Sequence, residues 1–300
     1  MLKVISDIFK SKREIESCIL RYGHLSQHNY YFYLNYSREK EKCIFFDFGI
    51  KKGIFAYQKQ DTWRILTDPI APQDDKNKLI VDIVSWLFKN NKAKKIIMED
   101  ICEGLRKELV GTSKNKSWRV IRPSYSLVWP IFDLENWTGG GKDWKRLRNL
   151  YHKFFKDNRI EIKRPGEINS KDLEKMILGW KKQRRDTDHV HLLPYLRFVE
   201  SGFEGCDIVR IFECDSKPIS IVAGWPIPNS DRAYYSCMGI YNYDYRNIGE
   251  ASYWDELLAL KKAGYKKVDL GGSEGGLLAF KMKFHPVSSY KTYNFSILKR

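Results

Sequence analysis

No apolar run in this 300-residue chain reaches the roughly 18 to 20 residues that a membrane-spanning helix requires. The first twelve residues alternate apolar and charged side chains and lack the apolar centre of a secretory signal. A cytoplasmic protein is expected. Cysteine is sparse: six residues stand apart at 18, 43, 102, 206, 214 and 237, with no Cys-x-x-Cys pair and no histidine at ligand spacing. That argues against a zinc ribbon or a disulfide framework and for buried thiols in a reducing compartment. Acidic residues are few beside basic ones, 37 against 53, for a formal charge of +16. The imbalance is not a tail: residues 1–130 carry 24 basic against 15 acidic side chains, and 131–300 carry 29 against 22. A polyanionic partner fits this charge, but charge spread so evenly does not decide the matter.

Apolar residues at 43% and aromatics at 14% suffice for real cores, and the length suits two domains. Residues 13–36 read as helical. His24 and His28 have the spacing of a metal pair, yet no third ligand accompanies them, and no metal is expected. Three strand-like runs follow, Cys43–Phe48, Gly53–Gln58 and Trp63–Thr67, joined by turns at Gly49 and at Gln60-Asp61. An amphipathic helix over 77–90, a strand at Ile96–Met98 and a helix at Leu105–Val110 complete this half. Val120–Phe132 reads as a strand leading out of it.

A second copy of this order begins about 170 residues later. Ala233–Ile240 reads as a buried strand. Arg246-Asn247-Ile248-Gly249-Glu250-Ala251 forms a polar loop, and Ala251–Ala263 a helix closed by Gly264. Val268–Leu270 is a second strand, Gly271–Gly276 a loop, and Leu277 to Phe284 a short helix. The boundary between the copies falls near 135, giving domains 1–135 and 136–300.

The loop Arg246-x-x-Gly249-x-Ala251, set between strand and helix, resembles the pyrophosphate-binding loop of the GNAT acyltransferase superfamily. Glycine lets backbone N–H groups approach a phosphate, the helix N-terminus favours the anion, and Arg246 adds a charge-assisted contact. Gly271-Gly272-Ser273 followed by Phe280-Lys281-x-Lys283-Phe284-x-Pro286 resembles the FemAB and phosphatidylglycerol lysyltransferase C-terminal (DUF2156-like) proteins, which carry two GNAT domains in tandem. The resemblance implies a mixed α+β chain of two tandem GNAT-like domains, each a mostly antiparallel sheet flanked by helices. The first copy has Pro69-Ile70-Ala71-Pro72-Gln73-Asp74-Asp75 where the second has its glycine loop. Two prolines lack N–H donors and the aspartates repel phosphate, so cofactor binding is expected in the second domain only.

The resemblance also implies roles. Backbone at Cys237, Gly239 and Ile240 would polarise the donor carbonyl, and Arg246, Asn247, Ile248, Gly249, Glu250, Ala251 and Phe280 would hold an acyl-CoA, acetyl-CoA or longer. Glu213 or Asp269 is a candidate base and Tyr235 or Tyr241 a candidate acid. Lys281 is the strongest catalytic candidate, because the lysine of the Phe-Lys pair is implicated in aminoacyl transfer in FemAB-like proteins. Lys145 and Arg148, on a helix over 143–158, belong to the basic segment Lys142–Arg164, which holds nine basic residues against three acidic. With Trp180, Asp269, Gly271, Gly272 and Ser273 they are candidates for binding the acceptor or tRNA phosphates. Ser170 is expected to cap the Trp180 helix, and His189 and His191 lie near its end. Three readings stand at this point: a CoA-dependent N-acyltransferase acting on a small-molecule, peptide or lipid amine; an aminoacyl-tRNA-dependent transferase, which needs no CoA; and a non-catalytic nucleic-acid binder.

Overall fold

A computed structural model describes residues 2–184 and 191–300. The chain divides into two compact units: Met1–Ile131 with Ile227–Ser230 and Gly271–Arg300, and Phe132–Pro226 with Asp231–Leu270.

Unit 1 opens with β1 (Lys3–Ile5), α1 (Lys12–Tyr22) and α2 (Tyr30–Asn35). The helix expected over 13–36 is cut at Gly23, which is extended (φ −66°, ψ 138°). A Cβ there would lie 2.6 Å from the Ile19 carbonyl oxygen. Asn29 then restarts the helix, its side chain accepting from the Phe32 N–H at 3.0 Å. The expected meander is present as β2 (Lys42–Asp47), β3 (Gly53–Lys59) and β4 (Thr62–Leu66), followed by α3 (Gln73–Asn90), β5 (Lys95–Cys102) and α4 (Glu103–Ser113). Helix α3 buries Leu79, Ile80, Ile83, Val84, Leu87 and Phe88 against Ile54, Ala56, Ile65, Ile96 and Met98. At about 1.5–3 kcal/mol per large apolar side chain, this face anchors the unit. The strand expected over 120–132 is two pieces, β6 (Trp118–Val120) and β7 (Tyr125–Asp133), separated around Pro123.

Unit 2 contains α5 (Lys145–Asp157), β8 (Ile160–Lys163), α6 (Ser170–Gln183), α7 (Leu193–Glu200), β9 (Ile208–Cys214), β10 (Lys217–Pro226), β11 (Ala233–Tyr241), α8 (Ile248–Lys262) and β12 (Lys267–Asp269). Its strands run in the order β12-β11-β10-β9-β8, antiparallel except for the parallel pair β11/β12, which α8 joins. The N-cap of α6 is Asn169, accepting from Lys171 N–H, and not Ser170, which is the first helical residue.

The chain then returns to unit 1 with α9 (Gly275–Met282) and β13 (Ser288–Lys299). Unit 1 strands run β1-β2-β3-β4-β5-β13-β7, with β6 also on β13; β4/β5 is the parallel pair, bridged by α3. Thus β4-α3-β5 and β11-α8-β12 are the two copies of the repeated motif. A single cut near 135 does not describe the compact units. Strand β13 pairs through Phe295 with Met98 and through Thr292 with Leu127, so its backbone is satisfied on both sides by unit 1.

Candidate functional site

In unit 2 the parallel pairing of β11 with β12 covers only Ala233, Tyr234 and Tyr235, whereas pairing with β10 continues to Tyr241. The two strands of the parallel pair therefore part beyond Tyr235 and Asp269. At the same level β11 is bulged: Ala223 faces Met238 and Gly224 faces Ser236, leaving Cys237 as the extra residue. Gly224 is required there, because a Cβ would come within 1.9 Å of the Tyr235 carbonyl oxygen. Cys237 and Gly239 are half-buried and Ile240 is fully buried.

The glycine loop leads directly into α8, which starts a turn earlier than its apolar spacing suggests. Asn247 is left-handed (φ 65°) and makes no side-chain cap, and the Ile248 N–H reaches the Tyr245 carbonyl at 3.3 Å. Arg246 is exposed beside this end, Ile248, Gly249 and Ala251 are buried, and Glu250 is half-buried. A helix N-terminus without a side-chain cap, beside an arginine and a parted strand pair, suits the pyrophosphate and the extended arm of a coenzyme A thioester.

Helix α8 is buried on nearly every side, and its inward polar residues form a network that the apolar pattern did not reveal. Ser236 Oγ donates to Glu256 Oε2 at 2.9 Å, and Ser220 and Ser252 share a hydroxyl contact of 2.7 Å. Burial pushes the phenols of Tyr253 and Tyr241 far up, with the neighbouring phenol and Glu256 adding to the shift in Tyr241. The sequence signal was there: Ser252, Asp255 and Glu256 interrupt a helix that is otherwise apolar and aromatic. The Tyr241 ring folds back over Gly239, where a Cβ would meet its hydroxyl at 2.6 Å. That hydroxyl is buried and has no hydrogen-bond partner among the described residues.

The other candidates are dispersed. Tyr235 is buried edge-on against Trp225, with ring centroids 5.2 Å apart. Asp269 is 2% exposed on β12, opposite Tyr235. Glu213 lies on β9, with β10 between it and β11, and is ion-paired with Lys163 at 3.7 Å. Trp180 is buried on α6 against Tyr195. Lys145 is exposed on α5, whereas Arg148 is half-buried and donates to the Gly139 carbonyl at 2.7 Å. His189 lies outside the described residues.

Phe280, Lys281 and the Gly271–Ser273 loop belong to unit 1. Lys281 is 5% exposed, so it is not a surface lysine, and its ammonium donates to the Gly271 carbonyl at 3.0 Å. Ser273 Oγ donates to the same carbonyl at 3.1 Å, while its backbone exchanges hydrogen bonds with Val128 on β7. Gly272 permits this approach: a Cβ would sit 2.8 Å from the Trp129 ring and 2.9 Å from Leu127. Phe280 is half-buried against Phe284. Unit 1 thus brings Lys281, Gly271, Gly272 and Ser273 together.

The loop of the first copy is packed inward instead. Thr67–Ala71 are all buried, and Ile70 exchanges two backbone hydrogen bonds with Gly53. Asp68 accepts from the buried Lys76 at 3.2 Å and from Cys102 N–H at 3.0 Å, and its carbonyl meets His28 Nε2 at 3.1 Å. Lys76 also meets His24 Nε2 at 2.8 Å. Burial lowers both histidines, His28 to about 3, so this cluster holds them neutral.

No family model matches the sequence, and no curated protein matches it. Solved structures do. The C-terminal (DUF2156) domain of a putative lysylphosphatidylglycerol synthetase from Agrobacterium fabrum superposes with TM-score 0.68 at 15% identity, over 97% of this chain and 92% of that one. FemX gives 0.58 at 10% identity, over 94% and 95%. A tandem GNAT protein from the clavulanic acid biosynthesis pathway gives 0.52 at 8% identity, over 100% and 98%. With two copies of the strand, crossover helix and parallel strand motif, and these neighbours along its length, the chain has the tandem GNAT fold.

Proposed function

We propose that the chain is an N-acyltransferase that moves an acyl group from a coenzyme A thioester to an amine, with the donor held by unit 2. The parting of β11 from β12 beside the start of α8, which has no side-chain cap, carries this reading. Arg246 and the N–H group of Gly249 would bind the pyrophosphate, and the bulged β11 backbone at Cys237–Ile240 would face the carbonyl. The thioester supplies an activated acyl carbon: a C–N bond forms to the amine, the C–S bond breaks, and the thiolate takes up a proton. Tyr241, whose burial keeps its phenol protonated at neutral pH, is a hydrogen-bond donor suited to that thiolate. On this reading unit 1 does not bind CoA, since its equivalent loop is filled by the Asp68–Lys76 pair.

A second reading, aminoacyl transfer from tRNA, is favoured by the burial of Lys281 and by the exposed Lys145, Arg146, Lys153, Lys156 and Arg159 on and just after α5. The Agrobacterium neighbour is named a putative lysylphosphatidylglycerol synthetase, and that name sets an aminoacylated lipid beside this reading.

Thiol release from acetyl-CoA and longer acyl-CoAs, followed with a thiol-reactive dye over a panel of amines, peptides and aminolipids, separates the two. Amine-dependent release that Gly249→Glu removes supports the CoA reading. Its absence, with label passing from aminoacyl-tRNA to an acceptor, overturns it in favour of the second.

A further inference from the structure

Unit 2 contains a groove of about 830 Å³ formed by β8 and the turn after it, the segment Gly202–Arg210 and the C-terminal half of α8. This volume is in the range of small-molecule sites, roughly 300–1,000 Å³. The α8 residues on its wall begin at Asp255, seven residues or about 10 Å beyond Ile248 at 1.5 Å per residue, and reach Lys262, about 21 Å beyond it, so the groove lies past the first turn that forms the proposed donor site.

Its lining is amphipathic. Val209 and Ala259 are half-buried in its wall, Phe203 is buried there, and Ile162 and Leu258 line it at 37% and 42% exposure. The acidic groups of the lining are already engaged. Asp255 takes a two-point ion pair from Arg210, and Asp207 accepts the Tyr265 hydroxyl at 2.6 Å. Among the cations, Lys163 is paired with Glu161 at 2.5 Å and Glu213 at 3.7 Å. Arg164 and Lys262 have no acidic partner among the described residues, and the nearby Glu167 carboxylate accepts from the Arg164 backbone N–H at 2.5 Å. The groove is therefore a trough of mixed polar and apolar lining, with two cations that have no acidic partner among the described residues. The carbonyl end of α8 opposes an anion, so both cations are needed to outweigh it.

We propose that this groove binds a single-chain anionic amphipath, an acyl chain ending in a carboxylate. The chain lies along Ile162, Phe203 and Leu258, and the carboxylate meets Arg164, whose planar fork matches it, and Lys262.

Calorimetric titration of the full chain with decanoate, below its micelle concentration, tests the assignment, with decanol, acetate and phosphatidylglycerol vesicles as comparators. Decanoate is expected to bind, decanol to bind roughly tenfold more weakly, and acetate not at all, because head and chain contribute separately. Ala259→Phe, which fills the trough, and the pair Arg164→Glu with Lys262→Glu should each weaken decanoate by about tenfold or more. Leu258→Ser replaces Ala259→Phe if the latter lowers the melting temperature. Equal affinity for decanol, decanoate binding unchanged in these variants, or binding of vesicles without binding of decanoate would each overturn the proposal.

Discussion

Tyr241 carries a hydroxyl that folding buries beside Gly239 without a hydrogen bond among the described residues. Removing such a group relieves a desolvation penalty of about 1–3 kcal/mol. Tyr241→Phe is therefore expected to hold or raise the melting temperature while lowering the acyl-transfer rate, and a variant that melts lower at unchanged rate would show a purely structural hydroxyl. Lys281 presents the opposite case. Its ammonium is buried on the Gly271 carbonyl, so Lys281→Met leaves that carbonyl with Ser273 and should cost roughly 1–3 kcal/mol in urea unfolding. Arg64 sets the upper end of the scale. It is 1% exposed, bonded to Glu99 at 2.8 Å and to both oxygens of Glu41, and stacked over the Tyr57 ring at 4.2 Å. Arg64→Met takes the guanidinium from the buried Glu41 and leaves Glu99 to Arg38, and a loss of about 3–5 kcal/mol is expected. The sequence pointed to Lys281 through its motif. It could not indicate Arg64, because nothing local distinguishes a buried arginine on a strand from an exposed one.

The elements themselves were legible where one periodicity dominates. The meander of β2, β3 and β4, the apolar stripe of α3 and the crossover unit β11-α8-β12 all follow from spacing and turn residues. The breaks were not, because they depend on contacts between segments: Gly23 stops α1 through the Ile19 carbonyl, and Asn169 displaces Ser170 as a cap. The start of α8 was also hidden, since Asn247 adopts a left-handed conformation that apolar spacing does not signal. The place of β13 was least legible, because strand alternation gives no partner. Its pairing with β5 creates a pH-sensitive seam. Asp100 accepts from Thr292 at 3.4 Å, Asn294 at 3.2 Å and Gln27 at 3.5 Å, all neutral donors. Burial, and then Glu99, raise its pKa from 3.8 to about 6. A raised acid favours the folded state while protonated: the contribution is fully present below 3.8 and is lost as pH climbs through 6. Urea midpoints between about pH 4 and 7 should thus fall less steeply in Asp100→Asn than in the wild type, and identical slopes would contradict this assignment.

The whole molecule carries the repeat in its topology and the difference between the copies in its loops. Unit 1 fills the start of its crossover helix with Thr67–Ala71 and a buried Asp68–Lys76 pair, whereas unit 2 leaves the start of α8 without a side-chain cap beside Arg246. The tandem arrangement could be inferred from the sequence because strand, loop, helix and strand recur in order. Which copy serves a donor could be argued from two prolines and two aspartates set against one glycine loop. The +16 charge does not select a donor, since it is shared by both halves of the chain. The proposed function turns on coenzyme A binding by unit 2 at Arg246–Ala251. It is tested most directly by thermal melting of the wild type and Gly249→Glu with coenzyme A, with acetyl-CoA and with bulk tRNA. A ligand at 100 times its dissociation constant adds about 2.7 kcal/mol, a rise of a few degrees for a chain of this size. That rise is expected with CoA and acetyl-CoA in the wild type and not in Gly249→Glu; no shift with either, alongside tight binding of tRNA, would overturn CoA binding at this loop.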